Sequence, residues 1–223
     1  MNYLQLTNDY LIETGAGDTI GSVVGQSDEY LQATKWIADA WVEIQRNRNW
    51  NFRWAEDSFS TVIGQYQYTL TDTLRVSGDD PLKGSFYYRL PDGRYSRLCL
   101  TTYQHSRAVR NAGNVAQGVP NSIAFSPAGD MYLHPTPDAV SSIKYEYHVA
   151  PVVLVDDLDF PSMSPEFHKA IVWKAVEQYA REQGKEWRNL YQVAVRNFNA
   201  IYSKMLEHET GRAYLAPSPF TYR

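Results

Sequence analysis

Apolar residues recur every three or four positions near both ends of the chain, but not in the roughly hundred residues between them. This spacing is typical of helices that bury one face. It predicts four helices: 3–14, about 28–48 with Ser27 as its N-cap, one that begins at Ser164-Pro165-Glu166 and breaks at Gly184, and one from 187 to about 208. Because each apolar stripe must be covered by another element, the simplest arrangement is an antiparallel bundle.

The residues between these helices are typical of strands and tight turns. Runs rich in Thr, Val, Ile, Tyr and Phe flank Gly64-Gln65, and a second pair of runs flanks Pro91-Asp92-Gly93. This pattern predicts two β-hairpins, 58–63 with 66–70 and 85–90 with 95–100. A short helix is predicted over 101–110, and further strands over 122–126, 131–134 and 143–150.

The pattern therefore predicts an α+β protein. The expected fold is an antiparallel bundle of about four helices, with a large β-rich insertion between helix 2 and helix 3 and an extended C-terminal tail. The predicted divisions are 1–52 for the first half of the bundle, 53–160 for the β-rich insertion, 161–209 for the second half of the bundle and 210–223 for the tail.

Composition argues against several broad classes of protein. With 21 basic and 25 acidic side chains in 223 residues, the net charge of −4 argues against general nucleic-acid binding. Cys99 is the single cysteine, so neither an internal disulfide nor a cysteine metal cluster can form. No apolar run approaches the roughly 20 residues that span a bilayer. The first residues lack the basic and apolar regions of a secretory signal, so we expect neither a membrane segment nor a leader.

Aromatic side chains are unusually frequent in this chain. It holds 17 Tyr and 6 Trp, residue types that are enriched at protein–protein interfaces. An aromatic-rich core explains the same numbers equally well, and the sequence leaves both explanations open. The candidates for packing within the bundle or between subunits are Trp36, Trp41, Trp50, Trp173 and Trp187.

The search for catalytic and metal-binding patterns finds weak candidates only. The five His never show the i, i+4 spacing of a helical zinc motif. The acidic run Asp156-Asp157-Leu158-Asp159 could hold a divalent cation, but it lacks the Gly of a calcium loop, and a solvated acidic connector is the preferred interpretation. Glu43 and Glu177 are candidate paired carboxylates that no pattern places in one cleft. We therefore predict no catalytic residue, no metal, no cofactor and no enzymatic activity.

Three stretches of the helical part carry a family resemblance. Residues 1–15 contain a short predicted helix that ends in Gly. Residues 36–52 contain most of the long predicted helix and the aromatic residues that follow it. Residues 165–180 contain the third predicted helix, which begins with Pro-Glu-Phe. In these stretches and in the order of its elements, the chain resembles the head-to-tail adaptor (connector) proteins of tailed bacteriophages. The resemblance covers about half of the chain, and the β-rich part does not contribute to it.

The resemblance implies a structural virion protein that is not an enzyme. Such adaptors form a ring, typically of twelve copies, beneath the portal, with their bundles side by side around the DNA channel. It also implies contacts with the portal protein and with a downstream tail or nozzle protein, and passage of DNA without sequence-specific binding. The expected location is the neck of a virion, after synthesis in the host cytoplasm and without a membrane.

In such adaptors a C-terminal segment typically docks on the portal, and the tail of this chain is apolar enough to do so. Its candidate portal contacts are Arg212, Tyr214, Leu215, Pro217, Pro219, Phe220 and Tyr222. Packing of the tail on its own bundle and a disordered tail are the alternative explanations. For the whole protein, the alternatives are another neck or tail-completion protein and, with less support, a tail-associated cell-wall hydrolase.

Overall fold

In a computed structural model the chain is α+β, as the sequence predicts. The structure describes residues 1–69, 74–75, 86–113 and 116–210. It divides into a helical unit, formed by Met1–Arg53 and the described residues from Pro151 onward, and a β unit, Trp54–Ala150. Residues 151–160, which the sequence-based division assigns to the insertion, belong to the helical unit, where Leu154 is buried in the core.

The described residues contain five α-helices. They are α1 (Tyr3–Thr14), α2 (Asp28–Arg46), α3 (Tyr103–Asn111), α4 (Lys169–Gln183) and α5 (Arg188–Thr210). All of them except α3 belong to the helical unit. Short 3-10 turns follow α2 and precede α4 and α5, at Asn51–Arg53, Pro165–Phe167 and Lys185–Trp187.

Helix α1 has the predicted bounds and is closed at both ends by local contacts. The side chain of Asn2 accepts a hydrogen bond from the amide of Gln5 at 2.9 Å, and the side chain of Gln5 accepts one from the amide of Asn2 at 3.0 Å. This reciprocal capping box satisfies two amides that the helix itself leaves without partners. At the other end Gly15 adopts φ 62°, a left-handed conformation that favours glycine.

The two predicted serine caps occupy the N-cap position but make no capping hydrogen bond through their side chains. Ser27 is the N-cap of α2, which begins at Asp28 as predicted, and its carbonyl accepts from the amide of Leu31 at 3.2 Å. Ser164 is the N-cap of the 3-10 turn Pro165–Phe167, and α4 begins only at Lys169.

Helix α4 lies at the centre of the helical unit. It packs against α1, α2 and α5, and α1 also packs against α2. From Ala170 to Ala180 none of its side chains is exposed, which is typical of a helix covered on all sides. The core around it includes Leu6, Tyr10, Ile37, Trp41, Ile44, Ile171, Val176, Phe198 and Met205. Among the described helices, none combines the length and the apolar composition that crossing a bilayer requires.

The β unit is built from short strands. In the described residues they are β1 (Trp54–Ser60), β2 (Gln67–Thr69), β3 (Leu74–Arg75), β4 (Phe86–Arg89), β5 (Tyr95–Arg97), β6 (Cys99–Leu100), β7 (Gln117–Gly118), β8 (Ser122–Phe125), β9 (Asp130–His134), β10 (Thr136–Pro137) and β11 (Ser142–Val149). One sheet has the order β1-β11-β4-β5, with β3 also paired to β11. A second has the order β2-β9-β8-β6, and β7 pairs with β10.

Of the two predicted hairpins, the structure contains the second and not the first. Strands β4 and β5 pair antiparallel across Pro91-Asp92-Gly93, as predicted. The chain also turns at Gly64, since the amide of Gln65 donates to the carbonyl of Val62 at 3.1 Å. After that turn, however, β1 pairs with β11 and β2 pairs with β9. The hairpin 58–63 with 66–70 is therefore wrong, because its strands belong to different sheets.

The side chains of these two strands explain the difference. Phe59 of β1 and Tyr68 of β2 meet with ring centroids 5.2 Å apart, inside the core that both sheets share. The two strands therefore contact each other through side chains across the core, while their backbones pair with β11 and β9. The remaining core residues of the β unit are Phe86, Tyr88, Leu98, Ile123, Met131, Leu133, Ile143 and Tyr145.

The short helix predicted over 101–110 is α3. Thr102 caps it, because its hydroxyl accepts a hydrogen bond from the amide of His105 at 3.2 Å. Near the other end, the Arg110 guanidinium lies over the ring of Tyr132, 4.0 Å from its centroid. Tyr132 belongs to β9, so this cation–π contact holds α3 against the second sheet.

Candidate interaction surfaces

Two of the candidate tryptophans lie inside the helical unit. Trp41 and Trp50 are each 1% exposed, and both stack on Phe52 with ring centroids 5.7 Å apart. The indole N–H of Trp50 donates to the carbonyl of Ile44 at 2.6 Å, which folds the chain back at the end of α2. These two side chains pack the helical unit and present no surface to another subunit.

The other three candidate tryptophans lie at the edge of the same core. Trp36 is half-buried, and its ring lies 5.9 Å from Tyr10 and 5.2 Å from Tyr179. Trp187 meets Tyr179 edge-on at 5.2 Å, and Trp173 packs against the core while remaining partly exposed. Each of these three rings is therefore partly used within the helical unit and keeps an edge that is available for outside contacts.

The two carboxylates considered as a catalytic pair meet around one lysine. Lys174 Nζ lies 3.0 Å from Glu43 Oε1 and 3.4 Å from Glu177 Oε2. The side-chain amide of Gln178 donates to the other oxygen of Glu43 at 2.9 Å. The structure thus joins two residues that the sequence could not place together, and both carboxylates form an ion pair with the same ammonium. This network links α2 to α4 and provides no free acid–base pair.

The first half of the acidic run holds the loop between α1 and α2. Asp157 Oδ1 accepts hydrogen bonds from the amide of Val23 at 2.6 Å and from the hydroxyl of Ser22 at 3.1 Å. The carbonyl of Asp157 also accepts from the amide of Leu4 at 3.3 Å. Asp157 therefore joins three parts of the helical unit: its own segment, residues 152–160, which we call the connector, the loop between α1 and α2, and the start of α1.

The second half of the acidic run orders the connector itself. The carboxylate of Asp159 accepts hydrogen bonds from the amides of Asp156 and Val155, at 2.9 and 2.7 Å, and these bonds lower the pKa of its carboxyl. Its carbonyl accepts from the amide of Tyr3 at 2.8 Å. Within the part of the chain that the structure describes, no three His, Cys, Asp or Glu side chains are grouped to hold a metal ion. The sequence interpretation, a solvated connector, did not include the hydrogen bonds that Asp157 and Asp159 make, although both residues remain partly exposed.

The same connector presents an apolar surface that the sequence reasoning missed. Five large apolar side chains in residues 152–160 are between 52% and 74% exposed: Val152, Val153, Val155, Leu158 and Phe160. The available signal was the density of Val, Leu and Phe around the aspartates, without a helical or strand period. Exposed apolar residues at this density make 152–160 a candidate surface for binding another protein.

The β unit carries a smaller apolar tip. The amide of Gly64 donates to the carbonyl of Pro137 in β10 at 2.9 Å, and the hydroxyl of Thr61 donates to the carbonyl of Ala139 at 3.1 Å. These bonds tie the turn after β1 to β10 and to the segment between β10 and β11. Val62, Ile63 and Val140 lie on these two segments and are each more than half exposed, at 52%, 59% and 66%. The loops therefore hold three apolar side chains together in solvent.

The predicted docking tail begins at a fixed point of the helical unit. Glu209, in the last turn of α5, is 7% exposed, and its carbonyl accepts a hydrogen bond from the side-chain amide of Asn51. The tail therefore starts beside the residues that follow α2. The predicted portal contacts Arg212, Tyr214, Leu215, Pro217, Pro219, Phe220 and Tyr222 lie outside the described residues.

Comparison with protein families supports an assignment. A family model described as "SU10 adaptor protein" matches residues 1–221. No curated protein matches the chain. The family match covers the helical unit, the β unit and most of the tail, so it does not depend on a single shared segment.

Proposed function

Because the chain belongs to the SU10 adaptor protein family, a family of phage head-to-tail adaptors, we propose that its copies form a ring that joins the head of a phage to its tail. The observation that carries this proposal is the match over residues 1–221. The ring, of typically twelve copies, lies beneath the portal in the neck of the virion. DNA passes through it without sequence-specific binding.

Exposed apolar surface in both units supports a role in assembly. In the helical unit the connector 152–160 presents five exposed apolar side chains, and in the β unit the tip presents Val62, Ile63 and Val140. A ring subunit in the neck needs contacts with its neighbours, with the portal above and with a tail component below. We assign the tip of the β unit to the downstream tail or nozzle protein.

The C-terminal tail is the proposed contact with the portal. It carries two Arg and no acidic residue after Thr210, together with Tyr214, Leu215, Phe220 and Tyr222. Apolar and aromatic side chains on a chain end gain stability by adding to a groove or to a sheet edge of a partner. In the proposed assembly the fixed end of α5 positions the tail for this contact.

The test mixes the purified full-length chain, or its 1–209 truncation, with portal rings of the same phage and examines the complexes by electron microscopy. We expect a ring on the portal from the full-length chain and none from the truncation. Replacing Tyr214 and Phe220 by Ala should also reduce portal binding, while S218A, a matched change in the same tail, should not. Circular dichroism checks that all variants keep the same helix content.

Three outcomes would contradict parts of this proposal. A full-length chain that forms no ring would favour another neck or tail-completion protein. A truncation that binds the portal as well as the full-length chain would exclude the tail as the docking segment. Equal loss of thermal stability and of portal binding in the Tyr214 and Phe220 variant would show that the tail packs on its own bundle.

A further inference from the structure

Helix α5 has one side that no other described residue of its unit covers. It packs against α4, which itself lies between α5 and the pair α1 and α2. Ala194, Phe198 and Met205 face the core and are at most 9% exposed. At 100° per residue, the exposed residues on the side away from them define the outer face of α5: Arg188, Gln192, Arg196, Asn199 and Ser203.

The outer face of α5 is basic. Its charged residues are Arg188 and Arg196, and within the described residues neither makes an ion pair. Two unpaired cations among uncharged polar side chains form a surface that fits an acidic partner.

A surface of that complementary kind lies on another part of the same helical unit. The amino-terminal half of α2 and the end of α4 enclose an open groove of about 600 Å³, here called the acidic groove. Leu31 and Trp36 supply its apolar lining, and Lys35 is its single cation. Its acidic residues are Asp28, Glu29, Asp39 and Glu182.

The dimensions of the two surfaces agree. Arg188 and Arg196 are eight positions apart, so their Cα atoms are separated by roughly 12 Å along the axis of α5. Glu29 and Asp39 are ten positions apart, or roughly 15 Å along α2. Two cations of the outer face can therefore approach two acids of the acidic groove at once.

We propose that the outer face of α5 of one copy packs into the acidic groove of a second copy, and that this contact repeats around the ring. Since α5 packs on α4 with its inner side, its outer face points away from the groove of its own chain. The contact joins two different surfaces, which is the head-to-tail geometry that closes a ring. This inference rests on the proposed ring, and it names the surfaces that neighbouring copies share.

The first test reverses the charge of one surface at a time. One variant carries R188E and R196E on the outer face of α5, and the other carries E29K and D39K in the acidic groove. All four side chains are exposed in the single chain, so the changes leave its core intact. The matched control, R89E with R107E, makes the same change of charge on exposed arginines of the β unit.

Each charge-reversed variant alone should associate with its own copies at least about tenfold more weakly than the wild type, because like charges then meet. An equal mixture of the two variants should recover the wild-type affinity, since every reversed surface again meets its complement. Analytical ultracentrifugation measures self-association, and electron microscopy counts the copies on each portal ring. The control variant should behave as the wild type does.

If the wild type forms rings on the portal and both variants do so equally well, the inference is wrong while the proposed ring stands. A mixture that assembles no better than either variant alone would also overturn it. If the wild type itself forms no ring on the portal, the proposed function fails, and the contact between copies is then decided by crosslinking without the portal.

The crosslinking test uses a chain in which Cys99, the single cysteine, is replaced by Ser. Q32C places a thiol in the acidic groove and Q192C places one on the outer face of α5, both at exposed positions. With a short bifunctional maleimide, the chain that carries both should give dimers, trimers and larger species, whereas each single-cysteine control stops at the dimer. A double variant that yields no trimer would overturn the proposed contact.

Discussion

Replacing Asp157 by Ala should loosen the loop between α1 and α2, whereas the same change at Asp156 should have little effect. Asp157 Oδ1 accepts hydrogen bonds from the amide of Val23 at 2.6 Å and from the hydroxyl of Ser22 at 3.1 Å. Asp156 is exposed, and the group that bonds to Asp159 is its backbone amide, which Ala retains. The two neighbours therefore differ in the contacts of their side chains.

The magnitude follows from the groups that lose a partner. A hydrogen bond to a charged group contributes about 1.5–3 kcal/mol, and a buried donor without a partner costs about 1–3 kcal/mol. In D157A the hydroxyl of Ser22 can turn to water, but Val23, which is 7% exposed, leaves its amide unpaired. We expect D157A to lower the free energy of unfolding by about 2–3 kcal/mol and D156A by less than about 0.5 kcal/mol.

Urea unfolding followed by tryptophan fluorescence measures this difference. Five of the six Trp belong to the helical unit, so the signal reports mainly on the part of the chain that Asp157 stabilises. D157N separates charge from geometry, because its side chain keeps one acceptor oxygen for the amide of Val23. We expect its unfolding midpoint to lie between those of D157A and the wild type.

Equal midpoints for D157A and D156A would refute the reasoning. They would mean that the bonds to Val23 and Ser22 are replaced by water without loss and that the core alone holds the loop. A midpoint for D157N equal to that of the wild type would show that the geometry of the acceptor, and not its charge, provides the stability.

Three further predictions concern other parts of the chain. Burial lowers the pKa of His168, so below the ordinary value of 6.5 the unfolded chain takes up a proton that the folded chain does not. Stability should therefore fall as the pH drops from 7.5 to 5, and urea midpoints should fall less in H168Q. Gly184 has φ 89°, so G184A should cost about 1 kcal/mol. G21A, where an added methyl meets nothing and φ is not positive, should cost less in the same thermal melt. R110Q removes the cation over Tyr132 and should destabilise the β unit by about 1 kcal/mol, measured by near-ultraviolet dichroism.

Local patterns predicted the elements of this protein well. The bounds of α1 follow from its apolar spacing and from Gly15, and the hairpin of β4 and β5 follows from Pro91-Asp92-Gly93. In each case the residues that decide the structure are within a few positions of one another. Gly64 also turned the chain as its sequence indicates, but the strands on either side found partners far away, β11 and β9.

The interaction surfaces were less accessible to sequence reasoning. Tryptophan content pointed equally to a core and to an interface, and burial assigns Trp41 and Trp50 to the core. The apolar side chains of 152–160 were overlooked because they follow neither a helical nor a strand period. The same apolar residue type occurs at exposed and at buried positions, and only the surrounding fold decides which of the two a given residue is.

The sequence by itself determined the helices at both ends, the β-rich part between them and the resemblance to phage adaptors. These depend on the spacing of apolar residues, on the residue types in turns and on the order of elements, and all three can be obtained from residues close together in the sequence. Only the tertiary structure decided which strands pair, which of two adjacent aspartates holds a loop and which side of α5 stays uncovered. Such outcomes depend on distant partners: Asp157 and Val23 are 134 positions apart, and only the packing of the helices around α4 brings them together.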